Sequence, residues 1–193
     1  GTVLDEVNQL KLDSKTIVAL FGDHGWHLGE KEHWQKFTAW RACTRVPLIV
    51  QVPKGVAGLP AGTKPSRCSK PVNLLSLAPT LLELSGLAPS KLHNGPSLVP
   101  LLANPKAVWP HVSLTHLHHP GSFGLSDEGW RYIRYADGGE ELYDIRKDPY
   151  EWSNLAEDKT HVKPLERLRK KAPVKFAKPV ESKIDSLPVL RWI

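Results

Sequence analysis

The stretch TIVALFGDHGWHLGE, residues 16–30, sets the fold class of the chain. Thr16-Ile17-Val18-Ala19-Leu20-Phe21 is a continuous apolar, β-branched run of strand length. That pattern predicts a strand buried on both faces, as in a parallel sheet covered by helices. Ahead of it Val3, Val7 and Leu10 recur at helical spacing, and Asp13-Ser14 closes the segment. A helix feeding a buried strand predicts an α/β domain.

Downstream, Pro47-Leu48-Ile49-Val50-Gln51-Val52 reads as a second buried strand stopped by Pro53, and Pro, Gly and Ser between Lys54 and Lys70 mark a loop. Asn73 to Gly86 reads as a helix starting near Ser76, with Pro79 tolerated in its first turn and Gly86 as its C-cap. Pro89 to Pro110 is irregular, apart from a short apolar turn at Leu98 to Leu102. The character then changes. Trp130 to Tyr135 and Glu140 to Asp144 are aromatic-bearing strands flanking Ala136-Asp137-Gly138-Gly139, a hairpin signal, and Asp148-Pro149 makes a further turn. Val162, Leu165 and Leu168 lie at three-residue spacing on a last helix of basic surface. The expected organisation is an α/β part over residues 1–108, a small antiparallel α+β subdomain over 109–171 and a basic, Pro-containing tail over 172–193.

The formal net charge of +6 raises the question of nucleic acid. Residues 159–193 hold ten Lys and Arg against three Asp and Glu, whereas the first 158 hold sixteen against seventeen. The basic character therefore belongs to the tail. Its aromatics are not interleaved with its cations, as a single-strand platform requires, so no nucleic-acid partner is expected. The tail is either a polyanion-attracting segment or a solvated helix end with an irregular extension. No apolar run approaches the roughly 18–20 residues that cross a bilayer. Cys43 and Cys68 are too few for a disulfide framework and are expected as two buried thiols rather than a bridge.

Ligands of open parallel sheets bind outside the carboxyl ends of strands. The residues at that place are Gly22-Asp23-His24-Gly25-Trp26-His27. Asp23 offers a hard oxygen suited to Ca²⁺ or Mg²⁺, and His24 offers a nitrogen ligand or a hydrogen bond to an anion. On these residues alone a turn with a surface histidine stays open as the other reading. Lys31, His33 and Lys36 follow shortly after; a lysine there either holds an anion as a point charge or belongs to a solvated charged loop.

The run from Thr16 to Pro53 closely resembles the iduronate-2-sulfatase-like members of the type I sulfatases. It carries in order their strand–Asp-His-Gly–Trp–x–Leu-Gly-Glu motif (Asp23 to Glu30), their Trp-x-Lys-Phe element (Trp34 to Phe37) and their Thr-x-Val-Pro-Leu-Ile (Thr44 to Ile49). Asn73 to Leu87 looks like the helix that follows in sulfatases, and Gly95-Pro96-Ser97-Leu98-Val99-Pro100-Leu101-Leu102 matches their Gly-x-Ser-Leu-x-Pro-Leu-Leu turn. Trp130 to Leu155 looks like their C-terminal hairpin and the loop after it, so the resemblance covers about residues 1–171.

The resemblance implies an alkaline-phosphatase-like sulfatase fold, of which this chain is the C-terminal part. It implies Asp23 and His24 as ligands or near neighbours of a Ca²⁺, with Mg²⁺ as the other candidate. It implies catalytic roles for His24 and for Lys36, whose ammonium contacts the sulfate and its bridging oxygen. Trp26 and His27 are expected to border the substrate pocket; His33 either joins them or is a plain surface residue. The implied reaction is hydrolysis of a sulfate ester on a sulfated carbohydrate by a formylglycine nucleophile, in a periplasmic, secreted or lysosome-like compartment.

Three departures bear on this. No Cys/Ser-x-Pro-x-Arg motif occurs in the chain. The first pair of metal carboxylates is absent too. The chain is therefore expected to be a fragment, lacking the N-terminal sulfatase segment that carries the nucleophile and inactive alone. Third, many relatives carry Asn-His-x-x-Arg-x-Glu before the hairpin, where this chain reads Ser122 to Glu128. His116, His118 and His119 either replace the missing groups or form a metal cluster of their own. A phosphatase or phosphodiesterase of the same superfamily and a glycan-binding remnant are the other functional readings.

Overall fold

The computed structural model describes residues 1–88 and 90–178. An opening helix α1 (Thr2–Gln9) leads to strand β1 (Val18–Phe21), which pairs with β2 (Leu48–Gln51) in a two-stranded sheet. The pairing is antiparallel, with Val18 opposite Gln51 and Phe21 opposite Leu48. Between the strands lie the site-bearing loop and a single turn of helix, α2 (Arg41–Thr44). The expectation of a parallel sheet buried on both faces is corrected here: Leu20 and Phe21 are 55% and 49% exposed. An apolar run records what a strand can bury. The partners that bury it are chosen by the rest of the fold.

Helix α3 (Leu77–Leu84) starts and stops as its residues dictate. The Asn73 side chain accepts a hydrogen bond from Leu75 N at the entry, and Gly86, at φ +70, supplies the left-handed exit that other residues resist. A short helix α4 (Val99–Ala103) packs beside it. The buried Thr80 hydroxyl joins them, donating to Ser76 O and accepting from Leu98 N at 2.8 Å.

The second sheet is an antiparallel meander, β3 (Ser113–His116), β4 (Phe123–Ser126), β5 (Trp130–Arg134) and β6 (Glu140–Asp144). The predicted hairpin is β5–β6, turning through Gly138 at φ +94. Side chains alternate between faces along each strand, and here both faces are covered. On one, Phe123, Leu125, Tyr132 and Leu142 pack against Leu165 and Leu168 of α5 (Val162–Arg169). Val162, expected on the same apolar stripe, is half exposed at the helix start. On the other face Ile133 and Tyr143 pack against Ala39, which arrives with the loop after β1. Gly124 permits that approach, since a Cβ there would lie 2.9 Å from the Ala39 Cβ. The outer edge of β6 is closed by Asn154, which accepts from Leu142 N at 3.0 Å and donates to Glu140 O at 3.0 Å.

Packing continues past residue 171: Ala172 and Phe176 lie against the first cluster, Phe176 stacking on Phe123 at 6.0 Å. The remainder of the tail, residues 179–193, lies outside the described residues. Both cysteines are free thiols; Cys43 is buried as expected, but Cys68 is exposed.

Three phenols of the sheet share carboxylates. Tyr132 donates to Glu140, and Tyr135 and Tyr143 donate to the two oxygens of Glu141 at 2.8 and 2.7 Å. Burial first, then these neighbouring carboxylates, pushes all three phenols well above their ordinary range. Their contribution to stability is thus present below the unfolded tyrosine value near 10 and is lost as pH rises, because the unfolded chain releases protons that the fold retains. Urea midpoints followed by circular dichroism are expected to fall steadily above about pH 10. A flat profile from about pH 9 to 11.5 contradicts this role.

Candidate functional site

The site hangs on the turn that leaves β1. Gly22 N bonds Pro47 O at 3.1 Å, and Gly25 N bonds Cys43 O at 2.8 Å, so the turn is laced to the segment that enters β2. Gly25 runs so close to α2 that a Cβ would sit 1.9 Å from Ala42 O. Glycine is required there, and it brings the backbone of Asp23 and His24 hard against the helix.

Asp23 Oδ1 accepts from the His24 amide at 2.9 Å, and Oδ2 lies 3.5 Å from His24 Nε2. That amide bond foremost, with a smaller pull from the Lys36 charge, holds the exposed Asp23 carboxyl below its usual range. His24 Nδ1 lies 2.8 Å from Gly25 O, and its Nε2 lies 3.1 Å from Lys36 Nζ. An ammonium only donates. Nε2 is therefore the acceptor, and the ring proton sits on Nδ1, bonded to the Gly25 carbonyl. In this tautomer the Nε2 lone pair is taken by the Lys36 ammonium, and a backbone carbonyl fixes the ring as it does in a metal-ligating histidine.

The structure thus brings Asp23, His24 and Lys36 together, as the sequence predicts. Trp26 joins them, its ring 6.3 Å from that of His24. His27 does not. It is fully buried, with Nδ1 3.1 Å from Glu30 O, Nε2 2.8 Å from the Thr38 hydroxyl, and its ring packed edge-on to His33 and Trp40. The expectation that His27 borders the substrate pocket is corrected: it is the pin of its own loop, because a buried imidazole with both nitrogens satisfied has no group to offer a ligand. His33 is likewise no plain surface residue, since its Nε2 lies 3.2 Å from Lys36 O and steadies the backbone of the lysine.

Sequence reasoning quoted Trp34 and Phe37 as motif residues and gave their rings no role. Trp34 and Phe37 are 70% and 72% exposed, and the Phe37 ring centroid lies 5.4 Å from Lys36 Nζ. Bulky rings left in water on either side of a lysine are the available signal, and it needs exposure to be visible. The anchorage of the loop was also hidden. Lys31 Nζ lies 4.6 Å from the Trp40 ring centroid and 4.8 Å from that of Tyr143, and it donates to Tyr143 Oη at 3.2 Å and to Glu151 O. Trp40 Nε1 donates to Glu141 at 2.7 Å, and Arg41 N donates to Glu151 Oε2 at 2.8 Å. The second sheet is in this way the platform on which the loop bearing Asp23 to Lys36 sits.

As a cation site the pair fits in part. Asp23 offers a hard oxygen 3.5 Å from His24 Nε2, a separation that two donors on one ion can have, but that nitrogen is engaged by Lys36 and ligates only if the lysine lets go. Two donors are fewer than the roughly six to eight oxygens that Ca²⁺ takes. Among the described residues no group of three or more His, Cys, Asp and Glu is placed to hold a metal. That includes the upstream histidines: His118 and His119 face each other at 5.1 Å, and His116 lies edge-on to Phe176.

Comparison with known proteins defines the class. Residues 29–176 match the family described as N-sulphoglucosamine sulphohydrolase, C-terminal, and the chain belongs to that family of sulfatase C-terminal regions. A sulfatase of Formosa agariphila is 35% identical over 173 residues, which is 90% of this chain and 32% of that protein. The structure is similar to that of a putative sulfatase from Bacteroides thetaiotaomicron, with a TM-score of 0.64 and 31% identity, over 82% of this chain and 35% of the other. It is also similar to a protein solved with its substrate D-glucosamine-2-N,6-O-disulfate, with a TM-score of 0.72 and 26% identity, over 89% and 36% of the two chains. The fold is therefore that of the alkaline-phosphatase-like sulfatases. The chain spans about a third of the length of the curated relatives it matches.

Proposed function

We propose that the chain is the part of a sulfuric ester hydrolase that carries one half of the metal site and the sulfate-neutralising lysine, acting on a sulfated sugar. The observation that carries this reading is the convergence of Asp23 and Lys36 on the His24 ring at the end of β1, at 3.5 and 3.1 Å from its Nε2. Asp23 and His24 would hold the Ca²⁺ or Mg²⁺ that the family implies, and that ion, when bound, supplies positive charge to the sulfate oxygens. Lys36 offers a second positive charge beside it, placed to neutralise the oxygen left as the S–O bond breaks. His24 keeps its proton on Nδ1, and its Nε2, which accepts from Lys36 here, would be free for the ion once Lys36 turns to the sulfate. Trp26, Trp34 and Phe37 present apolar rings suited to the face of a sugar.

The half-exposed Leu20, Phe21 and Ile49 of the first sheet fit cover by further strands or helices of a longer sulfatase, which would also bring the formylglycine and the remaining metal carboxylates. The narrower reading, an iduronate-2-sulfatase-like subtype in a periplasmic, secreted or lysosome-like compartment, rests on the Asp23–Glu30 and Trp34–Phe37 motifs. The test is release of inorganic sulfate from sulfated mono- and disaccharides by the full-length protein, with and without EDTA. EDTA-sensitive release is expected. Cleavage of phosphonate or phosphodiester substrates in preference to sulfate esters overturns the reading in favour of the phosphohydrolase branch. Glycan binding without hydrolysis, abolished by removing residues 172–193, overturns it in favour of a binding remnant.

A further inference from the structure

A second concavity lies on the α+β part, at the end of the meander where β4 turns into β5. It encloses about 290 Å³. Small-molecule sites span roughly 300–1,000 Å³, so the space suits one sugar-sized ring rather than an extended chain. None of its lining residues belongs to the Asp23–Lys36 loop.

Its walls are aromatic on two sides. Trp109 and His111, just ahead of β3, pack edge to face at 4.7 Å. Trp109 is fixed by its Nε1, which donates to Pro71 O at 3.0 Å. Trp130, at the start of β5, forms the opposite side, with the Arg146 guanidinium 5.7 Å from its ring centroid. Gly129 lets that guanidinium lie over the turn, for a Cβ there would be 3.0 Å from the Arg146 Cζ.

Each carboxylate of the lining has a cationic neighbour, and the cations keep donors to spare. Asp127 accepts from the amides of Gly129 and Trp130 at 3.0 and 2.9 Å and pairs with Arg167. Glu128 pairs with Lys70 at 2.6 Å. Arg146 spends Nε and Nη2 on Asp144, at 2.8 and 2.9 Å, and that pairing holds the Asp144 carboxyl below its usual range. A guanidinium has five N–H groups, so Arg146 retains Nη1 and one hydrogen of Nη2, while Arg167, pairing through Nη1, retains Nε and Nη2. Lys171 makes only a 3.4 Å contact to Pro110 O among the described residues. Aromatic walls around cations with unused donors match the two faces of an anionic saccharide, an apolar ring face and a sulfate.

We propose that this cavity is an accessory site for a single sulfated sugar ring, separate from the Asp23–Lys36 site. The choice of sulfate as the anion rests on the proposed function; the saccharide-and-anion chemistry rests on the lining alone.

The test is titration of the chain with glucosamine 6-sulfate, with glucosamine, and with inorganic sulfate, followed by the indole N–H signals of Trp109 and Trp130. The sulfated sugar is expected to shift both indoles, in the intact protein and in Lys36→Ala alike. Lys171→Gln and His111→Ala alter exposed side chains and keep the fold; each is expected to weaken the binding severalfold, and the two together at least tenfold. Arg146→Gln adds to the loss but also removes the Asp144 pairing, so it is read only beside those two. Binding that survives Lys171→Gln with His111→Ala, or that Lys36→Ala alone abolishes, overturns the accessory site while leaving the proposed function standing. Inorganic sulfate binding as tightly as the sugar overturns the saccharide platform. Sulfate release that fails in the full-length protein, with the indole shifts retained, overturns the proposed function and not this site.

Discussion

Replacing Glu151 by alanine is expected to cost about 3–5 kcal/mol of stability, the toll of leaving a buried charge without its partner. Glu151 is 1% exposed and Arg131, on β5, 5%. The Glu151 carboxylate accepts from Arg131 Nε at 3.2 Å and from the Arg41 amide at 2.8 Å, so it serves the second sheet with one oxygen and the start of α2 with the other. Burial presses the Arg131 guanidinium below its ordinary range, and Glu151 is the group that opposes this. In the alanine variant Arg131 keeps, among the described residues, only the Thr44 hydroxyl, and the Arg41 amide loses its acceptor. Glu151→Gln keeps the shape and one acceptor but not the charge, and belongs between the two. Because replacing both members of a buried pair by apolar residues is often neutral, Glu151→Leu with Arg131→Met is expected to regain most of the loss. Urea denaturation followed by tryptophan fluorescence measures all three. A cost for Glu151→Ala below about 1 kcal/mol would show that water reaches the pair and that it does not hold the platform.

The second large effect is catalytic. On the proposed function, Lys36→Ala in the full-length protein is expected to lower turnover by about 10²–10³, the usual consequence of removing one group that neutralises charge developing in a transition state. Asp23→Ala is expected to fall at least as far, since it removes the one hard oxygen the pair offers a cation. Both should leave the fold nearly intact. The Asp23 side chain is 83% exposed, and Lys36 contacts the site rather than the core. Lys36→Arg is not expected to rescue, because a planar fork replaces a point charge on a different stem. The measurements are sulfate release under saturating substrate and thermal unfolding of each variant. Near-normal turnover in either variant removes that residue from the chemistry; a large fall in melting temperature would move the effect from the site to the fold.

The distinction between the two effects follows from where each residue sits. On the proposed function, Lys36 and Asp23 act through charge held at a surface, so their loss would be felt by a substrate. Glu151 gains its meaning from the absence of water, so its loss is felt by the chain. Lys31 stands between them. Its ammonium, held between the Trp40 and Tyr143 rings and on the Glu151 carbonyl, ties the loop that carries Lys36 to the sheet that Glu151 braces.

Much of this molecule was legible in its residues because the determining interactions are short in sequence. The α3 entry at Asn73 and exit at Gly86 depend on bonds within a turn, and the β5–β6 hairpin on Gly138 and the alternation beside it. The approach of Asp23, His24 and Lys36 follows from a strand end and a loop that folds back within the same segment, although on the residues alone a turn and a solvated loop stayed open, and it was the resemblance to the type I sulfatases that named all three. What the order did not determine was who meets whom across the chain. That His27 is a sealed pin, that β1 pairs antiparallel with half of its apolar surface open, that Glu151 braces Arg131 and that Lys31 reaches Tyr143 were decided by tertiary structure alone. The physical reason is desolvation. Local hydrogen bonds and periodicity act between neighbours along the chain, whereas the energy of a buried imidazole or ion pair depends on which distant surfaces exclude water from it.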